Sequence, residues 1–189
     1  MEKPDGPAIG TAVGNGSWTV ESADPSAPEA AAVLRAYLAE LITRFHGREA
    51  EEAEIDRHLR ADHGSDDLVA PTGVLLLARR SGVAAGCVGL RRIDAETVEL
   101  TRMFVRPEAR GEGGATRLLV AAEARACDLG ARSIRLNTRA DLLEARALYT
   151  KHGYREVPRF GDDPFAEVWL AKPLGADPEP GGPRRGGRG

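Results

Sequence analysis

Cysteine is scarce in this chain of 189 residues: only Cys87 and Cys127 occur, with no Cys-x-x-Cys spacing and no histidine cluster beside either. That excludes a disulfide framework and a zinc knuckle, and both residues read as small core side chains in a reducing compartment. Lysine is nearly as scarce, with 3 Lys against 23 Arg, and the acidic residues outnumber the basic ones for a net charge of -3. Binding to nucleic acid needs a basic excess that is missing here, so no nucleic-acid partner is expected. No apolar run approaches the roughly 18 to 20 residues of a membrane span. Residues 1–17 are too polar and too rich in Gly and Pro for a secretory signal. A soluble cytoplasmic protein with no membrane partner is the expectation.

What is present suffices for one domain. The hydrophobic fraction is 42%, enough to fill a core at this length. No internal repeat occurs. Residues 1–16 and 173–189 are rich in Gly and Pro, the second stretch also in Arg, and are predicted to be disordered, which leaves a single domain over 17–172.

Within that domain the apolar period switches repeatedly. A strand at 18–21 precedes a capping box, Ser26-Ala27-Pro28-Glu29, that opens a helix. Val33, Tyr37, Leu41 and Phe45, with Leu34 and Leu38, give this helix a broad apolar stripe. A highly charged surface helix follows at 49–60, beside a loop at 61–72. Apolar runs at 74–78 and 83–90, parted by Arg79-Arg80-Ser81-Gly82, predict an antiparallel hairpin, which a strand at 98–105 extends. After Arg110-Gly111-Glu112-Gly113-Gly114-Ala115 a helix buries Ala115, Leu118, Leu119 and Ala122, and Gly130 stops it. A strand at 133–137, a cap-like start at Asp141-Leu142-Leu143-Glu144, a helix through Tyr149 ending at Gly153, and a strand at 167–171 complete the order βααβββαβαβ. Antiparallel strands first and a βαβ crossover later make a mixed α/β (α+β) sheet, not a doubly wound parallel one.

The glycine-rich strand-to-helix turn carries the chemistry. Its amides at Gly111 to Ala115 can converge because glycine tolerates the dihedrals, and the helix start adds partial positive charge, so the turn reads as a phosphate site or as a plain flexible turn. No Gly-Lys-Ser/Thr follows, which excludes a P-loop. Thr116 stands where the dinucleotide fingerprint needs its third small residue.

The run Arg110 to Ala115 resembles the pyrophosphate loop of the GNAT superfamily of N-acetyltransferases. Glu99-Leu100-Thr101-Arg102-Met103-Phe104-Val105-Arg106-Pro107-Glu108 upstream is similar to bacterial members, and Ala145-Arg146-Ala147-Leu148-Tyr149-Thr150-Lys151-His152-Gly153-Tyr154 downstream is similar to a second family segment. The Arg, Ala and Gly enrichment fits a GC-rich bacterial genome. The resemblance implies the acyl-CoA N-acyltransferase fold with a splayed central strand pair and acetyl-CoA as cosubstrate, with no metal. Its pyrophosphate would lie on Arg110, Gly111, Glu112, Gly113, Gly114 and Ala115, and its pantetheine would pair with the backbone of Met103, Phe104 and Val105. Apolar positions fall on Val98 and Leu100, then on Met103 and Val105, so the period slips near Thr101-Arg102 as a β-bulge would make it.

Tyr149 resembles the family tyrosine that protonates the departing thiolate; on the residues alone it also reads as a helix tyrosine packed beneath Gly153. Glu99 lies on the strand where many members carry the base that takes the amine proton, and it equally reads as a partner of Arg91 or Arg102. Leu142 stands where many relatives have a cofactor-contacting Asn, which leaves Asn137 or Asp141 to supply that contact. His46, His58, His63 and His152 match no family motif. The implied reaction is acetyl transfer to a primary amine of a small molecule by direct attack in a ternary complex, with backbone amides near Phe104 polarising the thioester carbonyl. The alternatives are a CoA-binding regulatory module without turnover and a protein or peptide N-terminal acetyltransferase. A small-molecule enzyme would close its site with a loop such as 159–165, and the family resemblance allows a homodimer.

Overall fold

The computed structural model describes residues 17–61 and 67–175. The tail segments 1–16 and 176–189, and His63 with part of the 61–72 loop, lie outside the described residues. The strands are β1 (Trp18–Ala23), β2 (Gly73–Arg80), β3 (Val83–Arg92), β4 (Thr97–Val105), β5 (Ser133–Thr138), β6 (Arg155–Glu156) and β7 (Val168–Pro173). The helices are α1 (Pro28–His46), α2 (Glu52–Ala61), α3 (Gly114–Asp128) and α4 (Leu143–Lys151). One sheet takes the order β1-β2-β3-β4-β5-β7-β6, antiparallel everywhere except between β4 and β5. The two-residue strand β6, too short to carry a period, is the element the sequence does not predict.

Strand β2 is an unbroken apolar run because both of its faces are covered. Val74, Leu76 and Ala78 enter one core and Leu75 and Leu77 the other. Ser81 and Gly82, at φ 49° and 85°, form the two-residue left-handed turn that a tight hairpin requires. The first core packs under α3, whose Leu118, Leu119, Ala122 and Ala126 are wholly buried. The second lies under α1, around Ala30, Val33 and Leu34, with α2 leaning on α1. Gly130, at φ 80°, ends α3, and the Ala131 amide donates back to the Ala126 carbonyl.

Three local expectations are corrected by the structure. Ala27, not Ser26, caps α1, because the Ser26 hydroxyl donates to Asp24 and Glu29 is drawn to Arg79 on β2. Leu142, not Asp141, precedes α4, because Asp141 accepts two bonds from Arg139. Cys127 is exposed, one step off the buried stripe of α3, whereas Cys87 is fully buried and desolvation pushes its thiol up to about 12. No described helix is long and apolar enough to cross a membrane.

Candidate active site

The period slip in β4 is a bulge. Gly86 and Cys87 face Val105 and Phe104, whereas Gly89 faces Thr101, so β4 carries one residue more than β3 between these pairs. Arg102, at φ 51°, takes the left-handed conformation within it. Before the bulge Val98 and Leu100 point to the α3 core; after it Val105 does, and Phe104 enters the α1 core. On the other side β4 meets β5 only over Thr97–Glu99, opposite Ser133–Arg135, and beyond these pairs the two strands part.

A cavity of about 390 Å³ lies beside the end of β4 that has left β5. Its walls are Tyr37, Glu40, Leu41 and Arg44 of α1, the Met103–Val105 end of β4, the glycine turn with the first turn of α3, and the Leu142–Tyr149 side of α4. Met103, Phe104, Val105, Arg110, Gly111, Gly113, Gly114, Ala115 and Tyr149 thus line one space. Glu112, Glu99 and Asn137 are not among its lining residues.

The three glycines of the turn serve two needs. Gly111 and Gly113 adopt φ 79° and 81°, where a side chain is strained, while a Cβ on Gly114 would run into the Trp18 indole. The turn therefore lies close against β1 and presents its backbone to the cavity. Helix α3 starts there with no side-chain cap and no acidic residue in its first turn, so no side chain of its own takes up its first amides. That is the donor set an anionic diphosphate requires, and the residues present fit such a group. Arg110 is anchored by its Nε on the Val105 carbonyl at 2.9 Å, and its Nη2 donates to Glu40. Glu112 turns away into an ion pair with Arg80 at 2.5 Å.

Tyr149 is 4% exposed, with its ring 5.5 Å from that of Tyr154. Burial first, and the neighbouring Tyr37 second, hold its hydroxyl above the usual tyrosine range, so it carries its proton at neutral pH.

Glu99 lies on the sheet face opposite α3. It is 9% exposed, and its two oxygens accept from Arg91 Nη2 at 2.7 Å and Arg135 Nε at 3.1 Å. Asn137 is on β5 opposite Trp169 of β7. The α1 wall is what sequence reasoning missed: Tyr37 and Leu41 read there as core stripe, and the only local signal for Glu40 was its four-residue spacing to Arg44, with which it pairs at 3.1 Å.

A mixed sheet parted at one strand pair, with a glycine turn and an uncapped helix start facing the gap, is the architecture of an N-acyltransferase. Residues 35–154 match the model of the Acetyltransferase (GNAT) family, and the chain belongs to that family. It is an acyltransferase. Over 134 residues it is 37% identical to an IAA acetyltransferase of Azospirillum brasilense, covering 64% of this chain and 86% of the relative. Among solved structures it is similar to a Klebsiella pneumoniae protein assigned as an acyl-CoA N-acyltransferase, with TM-score 0.63, 26% identity, and coverage of 83% of this chain and 97% of that one. It shares its fold with the PaiA N-acetyltransferase of Thermoplasma acidophilum in complex with coenzyme A, with TM-score 0.64, 18% identity, and coverage of 82% and 99%.

Proposed function

We propose that residues 17–172 form one catalytic domain that transfers the acetyl group of acetyl-CoA to a primary amine of a small molecule, by direct attack in a ternary complex. The observation that carries this reading is the single cavity joining the parted β4 edge, the uncapped start of α3 and the buried Tyr149. The structural relative described with coenzyme A supports the cofactor class. Acetyl-CoA supplies an activated thioester; the protein's task is to hold, orient and move protons.

Amides of Gly111 to Ala115, with Arg110, hold the diphosphate, and the unpaired edge of β4 at Met103–Val105 aligns the pantetheine arm. Phe104's backbone amide polarises the thioester carbonyl. The Tyr149 hydroxyl donates its proton to the sulfur as the carbon–sulfur bond breaks and the carbon–nitrogen bond forms. Glu99, fixed in orientation by its two arginines, takes the proton the amine must shed. Asn137 stands outside the cavity lining, and we assign it the acceptor side in place of the cofactor.

Two measurements test the reading together. Acetyl-CoA and CoA should raise the melting temperature in a concentration-dependent way, as any ligand selective for the folded state does. Thiol release from acetyl-CoA should appear with members of a small-amine panel. Binding without release across that panel would leave a CoA-binding regulatory module; no binding at millimolar CoA would remove the cofactor assignment.

A further inference from the structure

On the sheet face opposite α3, three charged side chains stand in a row across three strands. Arg91 of β3 is registered against Glu99 of β4, and Glu99 against Arg135 of β5. Their flanking residues Val98, Leu100, Ile134 and Leu136 are buried in the α3 core, which sends Glu99 and Arg135 to the other side. The row ends where β4 and β5 part, at the root of the gap between them.

The row is charged plus, minus, plus, and its donors are not all spent. Glu99 takes one bond from each arginine. Among the described residues, the buried Arg91 Nε has no hydrogen-bond partner, and neither has the buried Trp169 indole nitrogen. Trp169 alternates with the core residue Leu170 and thus shares this face of β7. Asp94, a carboxylate near Arg135, is spent on the amides of Glu96 and Thr97. Buried donors without acceptors cost free energy, and an incoming anion would satisfy them.

The segment between β6 and β7 arches over this row. Phe160 lies on the Arg135 guanidinium at 4.2 Å, Arg159 lies 5.4 Å from the Trp169 ring centre, and Phe165 packs edge-on against Phe45 of α1 at 4.8 Å. The row is thus a charged floor beneath a partly aromatic roof.

We propose that Arg91, Glu99 and Arg135, with the Trp169 indole, hold the zwitterionic end of a free α-amino acid, and that α-amino acids are the acceptor class. The inference rests on the acetyl-transfer reading. Adjacent strands stand about 4.8 Å apart, and the carboxylate and ammonium of an α-amino acid are separated by a single carbon, so one molecule spans neighbouring members of the row. Its carboxylate takes the outer guanidinium nitrogens, which suit planar, two-pronged recognition. The ammonium reaches Glu99, whose carboxylate offers about four lone-pair sites against the two in use. There the ammonium gives one proton to Glu99, the nitrogen forms its bond to the acetyl carbon as the carbon–sulfur bond breaks, the sulfur takes the Tyr149 proton, and the second nitrogen proton goes to the Tyr149 oxygen, which restores the hydroxyl. The amide product has lost the positive charge that Glu99 held, which favours release.

Matched acceptors test this with the full chain: L-leucine, L-leucinamide and isopentylamine, and L-phenylalanine, L-phenylalaninamide and phenethylamine, each followed by thiol release. We expect kcat/KM for each amino acid at least tenfold above that of its amide and its amine. Arg91→Gln should raise the amino-acid KM at least tenfold and collapse that preference, with the Kd for acetyl-CoA unmoved, and Arg91→Lys should restore part of it. Arg91 is chosen because its side chain is 41% exposed and its loss leaves Glu99 paired with Arg135. Equal kcat/KM across each trio, or an Arg91→Gln variant that shifts all three alike, would overturn the proposal while leaving acetyl transfer standing. Calorimetric binding of L-leucine, with and without CoA, reads the site independently of turnover. No binding at millimolar L-leucine or L-phenylalanine in either condition would overturn it as well.

Discussion

The two sides of the parted β4–β5 pair are built from different materials. Toward α3 the site is backbone: left-handed glycines, a carbonyl that anchors Arg110, and the amides of a helix start. Toward the opposite face it is side chain: two arginines, a buried carboxylate and an indole, set on three neighbouring strands and on β7. A backbone site depends on a few positions that must stay glycine, and it suits a ligand part that never varies. A side-chain site can be rewritten one substitution at a time without disturbing the ladder beneath it. In one fold the first arrangement suits a common cofactor and the second a particular acceptor.

The sharpest way to break that contrast is to put a side chain into the backbone half. Gly113→Asp adds a carboxylate at φ 81° beside the amides proposed for the diphosphate. Asp tolerates that conformation better than most residues, so the fold should persist. We expect the CoA Kd to weaken by roughly 10³-fold, the sum of charge repulsion and a displaced turn. Glu112→Ala is the control: its carboxylate already points to Arg80, and the Kd should stay within about threefold. Unchanged affinity in Gly113→Asp would reduce the glycine run to a turn.

Tyr149→Phe probes the seam between the halves. The ring stays against Tyr154 and only the hydroxyl is lost, so stability should change little. If the hydroxyl protonates the thiolate, kcat falls by about 10²-fold, the low end for general acid catalysis because a thiolate leaves readily, while the acetyl-CoA Kd moves far less. Wild-type kcat with an unshifted pH profile would make Tyr149 a packing residue.

The contrast also explains what was legible in advance. Glycines and period-two slips are local, so the turn and the bulge at Thr101-Arg102 could be read from neighbours in sequence, whereas the parted strand pair was expected only from the family resemblance. The cap of α1 could not, because Glu29 answers to Arg79, 50 residues away, and nothing near Ser26 announces that partner; at α4 the Asp141 carboxylate is taken by its near neighbour Arg139. Nor could the α1 wall: whether Tyr37 faces core or cavity depends on where β4 parts from β5, which α1 does not encode. Glu99 was read with its alternative partner Arg91 in view, but Arg135 comes from a strand 36 residues away.

The smallest expected effect concerns the acidic wall of the cavity. Arg110 donates to Glu40, Glu40 accepts from Arg44, and Arg44 donates to Glu144, a chain of alternating charge running from the glycine turn to α4 with every member in the lining. Glu40 is therefore a negative charge inside a space assigned to an anion, and it occupies the guanidinium best placed to meet that anion. Glu40→Gln removes the charge and frees Nη2, while the Val105 carbonyl still holds the Arg110 Nε and fixes its direction. Because such partly exposed pairs are worth at most about 1 kcal/mol, the CoA Kd should tighten by only about three- to fivefold. The gain should shrink between low and high salt, since what was removed is a charge interaction. Weaker binding in Glu40→Gln would reverse the assignment and make Glu40 the residue that aims Arg110, in which case Glu40→Asp, with its shorter reach, should bind more weakly as well.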